Sequence, residues 1–214
     1  MPRYSAAIFD LDGLLVDTER LGITAGNAAL EEMGVPMVAG RLERLIGRDE
    51  AAATRLLAED LGADFPYAEF MAVWNSHYRL LVADGIPLRP GAERLLTDLS
   101  EARLPIALAT SSTHQSAHKK LRLTGIDRFF DAVVTVDCVT RPKPAPDPYL
   151  LAAERLGQDA PLCIAFEDSD TGAAAARAAG MTVVQIPDLG PATGIHAHHV
   201  AEDLIAGARA AGLI

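Results

Sequence analysis

Two aspartates separated by one residue, Asp10 and Asp12, stand inside the otherwise apolar stretch Ile8-Phe9-Asp10-Leu11-Asp12-Gly13-Leu14-Leu15-Val16-Asp17. Residues 4–9 read as a short buried strand, apolar and partly β-branched or aromatic. Asp10 then falls at the carboxyl end of that strand, where open α/β sheets place their ligands. In extended backbone, residues two apart project to the same side, and Gly13 allows a turn directly afterwards. Paired acids in one cleft suit a divalent metal combined with acid/base or nucleophilic chemistry. A strand-end turn with solvated aspartates is the plainer alternative.

Three further stretches bear on that choice. Thr110-Ser111-Ser112 follows an apolar run at 105–109, and hydroxyls with backbone N–H groups at a strand–helix junction make a phosphate cradle or a plain helix cap. Arg141-Pro142-Lys143-Pro144-Ala145-Pro146-Asp147 follows an apolar run at 132–136. Its prolines stiffen the loop that carries Lys143, a point cation able to hold a phosphoryl group or simply to sit in solvent. Glu167-Asp168-Ser169-Asp170 ends the run at 162–166 and reads either as a second set of oxygen ligands for Mg²⁺ or as ordinary helix-start acids. Each alone is weak. Four strand ends that together carry the groups of one phosphoryl-transfer site favour the chemical reading.

The elements that must position these residues fall into two blocks. Residues 18–84 read as almost wholly helical, with apolar spacing near 3.6 in 21–33, 51–61 and 70–82. Breaks fall at Gly34-Val35-Pro36, at Gly47 with Asp49 as a possible N-cap, at 62–66 and at 84–90. From Gly91 the pattern changes to strands at 105–109, 132–136, 162–166 and 182–186, alternating with helices at 92–102, 112–124, 147–156, 172–179 and 201–211. Such alternation indicates a parallel sheet with helices on both faces, and right-handed crossovers bring the strand C-termini to one edge. The expected fold is a Rossmann-like α/β core of residues 1–14 and 90–214, interrupted by an inserted all-helical cap at 15–89. Residues 13–16 and 84–90 are the linkers and hinge candidates. The Gly-, Pro- and His-rich tail at 187–199 reads as loop.

Composition narrows the partners. The 214 residues carry a formal net charge of −10, with lysine only at 119, 120 and 143. That disfavours nucleic acid and anionic membrane, which need clustered cations. It leaves room for a small phosphorylated molecule met by a metal, one lysine and helix N-termini. Cys138 and Cys163 give neither a disulfide framework nor metal spacing, and Cys163 reads as a buried thiol. Asp10 and Asp12 interrupt the only N-terminal apolar run, so no signal peptide is expected, no run approaches the ~20 apolar residues of a span, and the expected location is cytoplasmic.

In order, Asp10-Leu11-Asp12-Gly13, Thr110-Ser111-Ser112, Lys143-Pro144 and Glu167-Asp168-Ser169 resemble the four motifs of the haloacid dehalogenase-like hydrolase superfamily. The stretches from Asp10 to Glu19 and from Lys143 to Asp147 are most similar to its β-phosphoglucomutase-like phosphatase group; Pro142, where that group commonly has glycine, is a departure. The resemblance implies a Mg²⁺-dependent hydrolase of phosphoric monoesters. Asp10 would be the nucleophile, forming an aspartyl-phosphate, and Asp12 the acid/base. Thr110, the Ser111 N–H and Lys143 would hold the phosphoryl oxygens. The Asp10 side chain, the Asp12 carbonyl and Asp168 would bind the metal, with Glu167 bound directly or through water. Asp17, in the same stretch, reads as capping a helix from Thr18 rather than as chemistry.

Relatives are separated by residues present or absent. A dehalogenase lacks the second acid, and a phosphonate hydrolase needs a cap lysine, whereas no lysine precedes Lys119. A sugar-phosphate mutase carries a cap histidine where this chain has Gly22, and no histidine precedes His77. A phosphatase for a sugar or polyol phosphate is therefore expected, with the mutase as alternative and a non-catalytic binding protein of the same fold behind it. A monomer or homodimer is expected. Arg48 is the candidate to meet a polar or anionic substrate group from the cap, with Glu19 second. Trp74 and Tyr78 read as packing, and His196, His198 and His199 as surface loop.

Overall fold

The computed structural model describes residues 4–45, 50–62, 64–83, 85–190 and 192–214. The chain divides into two compact units, Met1–Asp17 with Pro87–Ile214, and Thr18–Ile86.

The first unit is built on six parallel strands: β1 (Ala6–Phe9), β2 (Ile106–Ala109), β3 (Ala132–Val134), β4 (Cys163–Glu167), β5 (Thr182–Gln185) and β6 (His199–Val200). Their order across the sheet is β3-β2-β1-β4-β5-β6. The central strands β1, β2 and β4 are buried along their whole length, as parallel strands covered on both faces must be. The register aligns side chains in rows. Ala132, Ala107, Ile8, Ala165 and Val183 form one row, which packs under helices α6 (Asp147–Arg155) and α7 (Asp170–Ala178). The next row, Val133, Leu108, Phe9, Phe166 and Val184, points to the opposite face, where the Phe9 and Phe166 rings stack 4.8 Å apart. Helices α4 (Ala92–Glu101), α5 (His114–Thr124) and α8 (Leu204–Ala210) complete this unit.

The small residues of these helices let them lie close to the sheet. A Cβ on Gly207 of α8 would stand 2.6 Å from Val184 Cγ1 and 2.8 Å from Ile186 Cδ1. The tail contains one element that sequence reading missed. Residues 187–199 are not all loop, because His199–Val200 pairs with β5, and His198 Nδ1 accepts a hydrogen bond from Val183 N at 2.9 Å. A two-residue strand is too short to leave a periodic signal. Similarly, the helix expected from 112 begins at His114, capped by Thr113, whose hydroxyl accepts from Ser116 N.

The two linkers are paired within this unit. Leu11 O accepts from Leu15 N at 3.0 Å and from Val16 N at 3.1 Å around Gly13, whose φ is 81°. Val16 bridges Leu88 in antiparallel sense, Asp17 N donates to Pro87 O at 2.9 Å, and Arg89 N donates to Leu15 O at 2.9 Å. Arg89 Nη2 also meets Asp188 Oδ1 at 2.8 Å, a pair almost wholly out of solvent.

The second unit comprises α1 (Thr18–Glu32), α2 (Glu50–Leu61) and α3 (Tyr67–Ala83), with a short 3₁₀ turn at Glu43–Leu45. Its core joins Leu30, Leu42, Leu57 and Phe70. Trp74 packs on Phe70, ring centroids 5.3 Å apart, and the place a Gly26 Cβ would take is 2.6 Å from Leu42 Cδ1 and 3.4 Å from Trp74. Arg41, buried, reaches Asp60 Oδ2 at 2.5 Å and Pro36 O at 2.8 Å. Among the described residues no helix is long and apolar enough to cross a membrane. Gly207→Val should lower the unfolding free energy by about 1–3 kcal/mol through overpacking against Val184, read as a lower melting temperature; an unchanged one would refute the packing argument.

Candidate functional site

The sheet register delivers the site. Phe9, Ala109 and Phe166 are neighbours or near neighbours on β1, β2 and β4, so the residues that follow them emerge together at one edge. Asp10 N still donates to Phe166 O at 3.1 Å and Thr110 N to Val134 O at 2.9 Å, holding both backbones to the end of the sheet. This is the switch point of the sheet, where the chain leaves β1 for β2 on one side and returns to β4 on the other.

Lys143 joins two of these strand ends. Its Nζ donates to Asp10 Oδ1 at 2.6 Å and to Glu167 Oε1 at 2.5 Å. All three side chains are under one-tenth exposed. The loop that carries Lys143 has a cis bond to Pro144. Burial pushes the Asp10 carboxyl up to about 7; Lys143 opposes the rise, while Glu167 and Asp12 add to it. Burial alone would lower the Lys143 ammonium, but the Asp10 and Glu167 carboxylates outweigh it and hold the group above the usual lysine range. Lys143 is therefore no solvated loop cation.

Glu167 is held on every side. Tyr149 OH donates to its Oε1 at 2.5 Å, and Ser169 Oγ donates to its Oε2 at 3.2 Å. Ser169 also caps α7, accepting from Gly172 N at 3.1 Å. A Cβ on Gly172 would lie 1.8 Å from Glu167 Oε1, so only glycine leaves room for this carboxylate. Tyr149 and Gly172 were missed in the sequence; a tyrosine on an amphipathic helix and a glycine in an alanine-rich one carry no distinguishing signal.

The residues present fit a divalent cation. Asp10, Glu167 and Asp168 each offer a carboxylate oxygen, and these lie within 4.8 Å of one another. One ammonium faces this cluster of three acids, and Asp10 is already driven toward neutrality, as expected where a further cation would relieve the crowding. Asp170 does not join them. Its carboxylate accepts from Gln185 Nε2 at 3.0 Å and from Thr193 Oγ1 at 2.8 Å.

Asp12 lies beyond the strand, so the alternation of β1 no longer governs it. Its Oδ2 accepts from Ser112 Oγ at 2.7 Å and its Oδ1 from Lys120 Nζ at 2.5 Å. Thr110 is buried, and its Oγ1 accepts from Ser112 N at 3.0 Å, closing the turn on which Ser111 is exposed. Lys120 was counted in the sequence but given no role, although it is one of only three lysines and lies about two turns beyond Ser112. Glu19 sits in the first turn of α1 in the helical unit, and Arg48, with the Gly47 and Asp49 beside it, lies outside the described residues.

This parallel-sheet core, with acids, a lysine and hydroxyls gathered at its switch point, has known counterparts. The family model for haloacid dehalogenase-like hydrolases matches residues 7–186. Protein CbbY (plasmid) of Cupriavidus necator is 39% identical over 204 residues, covering 85% of this chain and 78% of the relative. β-Phosphoglucomutase of Bacillus subtilis is 35% identical (85% and 82% covered), and fructose-1-phosphate phosphatase YqaB of Escherichia coli is 33% identical (86% and 97% covered). Among solved structures, a haloacid dehalogenase family hydrolase from Deinococcus radiodurans R1 with bound phosphate and sodium superposes with a TM-score of 0.85 at 28% identity, covering 99% of this chain and 96% of that one. The chain belongs to the haloacid dehalogenase-like hydrolase family, in its β-phosphoglucomutase-like group.

Gly172→Ala should destabilise the core unit through its clash with Glu167, and adding Glu167→Ala should raise the melting temperature back toward the wild type. A double variant no more stable than Gly172→Ala would show that the clash lies elsewhere.

Proposed function

We propose that this hydrolase, acting on phosphoric monoesters, is a Mg²⁺-dependent cytoplasmic phosphatase for a small phosphorylated metabolite of the sugar or polyol phosphate class, working through an aspartyl-phosphate. The supporting observation is the buried cluster in which Lys143 bridges Asp10 and Glu167 with Asp168 beside them. Such a site holds little for covalent chemistry beyond one carboxylate, and phosphoryl transfer is mainly a matter of position and charge.

In the first step an Asp10 oxygen attacks phosphorus, the bond to the leaving oxygen breaks, and Asp12 gives that oxygen its proton. In the second step a water oxygen attacks the same phosphorus and passes its proton to Asp12. The bond to Asp10 breaks, and inorganic phosphate leaves. Thr110, whose Oγ1 already accepts from Ser112 N, keeps its hydroxyl hydrogen for a phosphoryl oxygen. The Ser111 N–H and Lys143 are the other proposed donors. Asp10, the Asp12 carbonyl and Asp168 would hold Mg²⁺, with Glu167 directly or through water. The water-mediated arrangement suits Glu167 better, since both its oxygens accept from protein donors. When bound, the ion supplies charge neutralisation for the phosphoryl oxygens.

A mutase is the second reading, because a relative 35% identical bears that name. Gly22 speaks against it: the position holds no imidazole and faces Trp74, and His77 is engaged with Glu32 at 2.8 Å. Substrate choice is proposed to lie with residues 15–89 as a cap, Arg48 and Glu19 being the candidate contacts. A monomer or homodimer is the proposed state, with neither nucleic acid nor membrane as a partner.

Initial rates with an aryl phosphate should appear with Mg²⁺ and vanish with EDTA, and phosphate release across a panel of sugar phosphates should exceed isomerisation. Asp10→Asn should lower kcat by about 10³-fold or more while leaving the fold intact, read as an unchanged circular-dichroism spectrum. Appreciable turnover in that variant would remove Asp10 as nucleophile.

A further inference from the structure

The geometry points to Lys120 as a positioning residue that fixes the orientation of the Asp12 carboxylate, and we propose that it thereby sets how fast the acyl-phosphate on Asp10 is hydrolysed. The inference rests on the aspartyl-phosphate reading given above and adds a residue to it. Lys120 Nζ donates to Asp12 Oδ1 at 2.5 Å and to Ser112 Oγ at 2.9 Å, while Ser112 Oγ donates to Asp12 Oδ2 at 2.7 Å. These contacts close a ring that engages both oxygens of Asp12, across sequence separations of 108 and 100 residues. The ammonium is largely withdrawn from solvent, with its side chain 14% exposed, unlike a surface lysine.

Helix α5 provides the mount. Thr113 caps it and Ser112 lies just before it, so the two donors to Asp12 belong to one rigid segment. Asp12, by contrast, stands on the turn at Gly13, beyond the last hydrogen-bonded residue of β1. Its carboxylate would otherwise be free to change rotamer, and the ring holds both of its oxygens. Asp10 needs no such help, since Lys143 already holds it from the other side. Asp10 thus meets Lys143, and Asp12 meets Lys120.

An acid/base group must sit within hydrogen-bond reach of the atom it serves, and misplacement by about 1 Å can cost about 10²-fold. Attack by Asp10 on an activated ester needs no proton for the leaving group. Hydrolysis of the acyl-phosphate does need a base to receive the proton of the attacking water. Loss of Lys120 should therefore slow the second step more than the first when the leaving group is p-nitrophenolate.

The test compares wild type, Lys120→Met and Lys119→Met with Mg²⁺ and p-nitrophenyl phosphate, reading kcat, KM and the acid-stable, hydroxylamine-labile phosphate on the protein at steady state. Lys119 is exposed one residue away and loses the same charge. The expected result for Lys120→Met is a fall of about 10- to 100-fold in kcat, a KM that does not rise, and a larger phosphorylated fraction. Lys119→Met should match the wild type. Ser112→Ala, which removes the other donor, should shift the phosphorylated fraction in the same direction and guards against misfolding of the lysine variant. An unchanged or smaller phosphorylated fraction in both Lys120→Met and Ser112→Ala, or an equal effect in Lys119→Met, overturns the assignment. A wild type that acquires no hydroxylamine-labile phosphate at all overturns the aspartyl-phosphate reading itself, and with it this inference.

Discussion

The Lys143 ammonium between Asp10 and Glu167 is the interaction on which the rest of the core depends. Each of the three charges, buried without a partner, would cost much free energy. Together they persist because each carboxylate meets the cation at hydrogen-bond distance. The arrangement is not cheap to keep, since buried ion pairs commonly recover little more than their desolvation cost. Surrounding structure must therefore hold them, through the Tyr149 hydroxyl, the Ser169 cap and the missing side chain at Gly172. None of this would converge if β1 and β4 were not neighbours in the sheet.

Strand order makes them neighbours. The chain runs outward from β1 through β2 to β3, then returns across the sheet to β4 and continues outward on the other side. Side chains just past β1 and β4 then face one gap, with Lys143 reaching in from the loop that makes the return crossing. The linkers exploit the same edge. Residues 11–17 turn back on themselves at Gly13 and pair with 87–89, anchored by Arg89 on Asp188. Asp12 thus belongs both to the site and to the hydrogen-bonded turn that leads to the inserted helical unit.

Much of this was legible in the amino-acid sequence, and for physical reasons. Buried parallel strands are continuous apolar runs, so β1 to β5 stood out, and the residues that follow the first four were candidates because the sheet gathers those ends. What escaped was held by tertiary contact instead of local pattern. β6 is two residues of a polar tail, recruited by the free edge of β5. Gly172 reads as one small residue among alanines until the Glu167 carboxylate is seen in the space its side chain would occupy. Lys120 and Asp12 are 108 residues apart, and nothing local in helix α5 marks that lysine over Lys119 beside it.

Two aspartates two residues apart look alike in sequence, and what separates them is backbone and partners. Asp10 still hydrogen-bonds through its N–H to β4, so its carboxylate inherits the direction of the strand and meets Lys143 in a buried setting. Asp12 has left the sheet, is about one-third exposed, and turns to donors mounted on α5. A nucleophile benefits from the first environment, where neighbouring dipoles are fixed and water is excluded. A group that exchanges protons with leaving alcohol and incoming water benefits from the second, where solvent reaches it and only its orientation must be held. The division of labour proposed for the pair therefore follows from where β1 ends, which leaves one carboxylate aligned by the sheet and the other held by donors from α5.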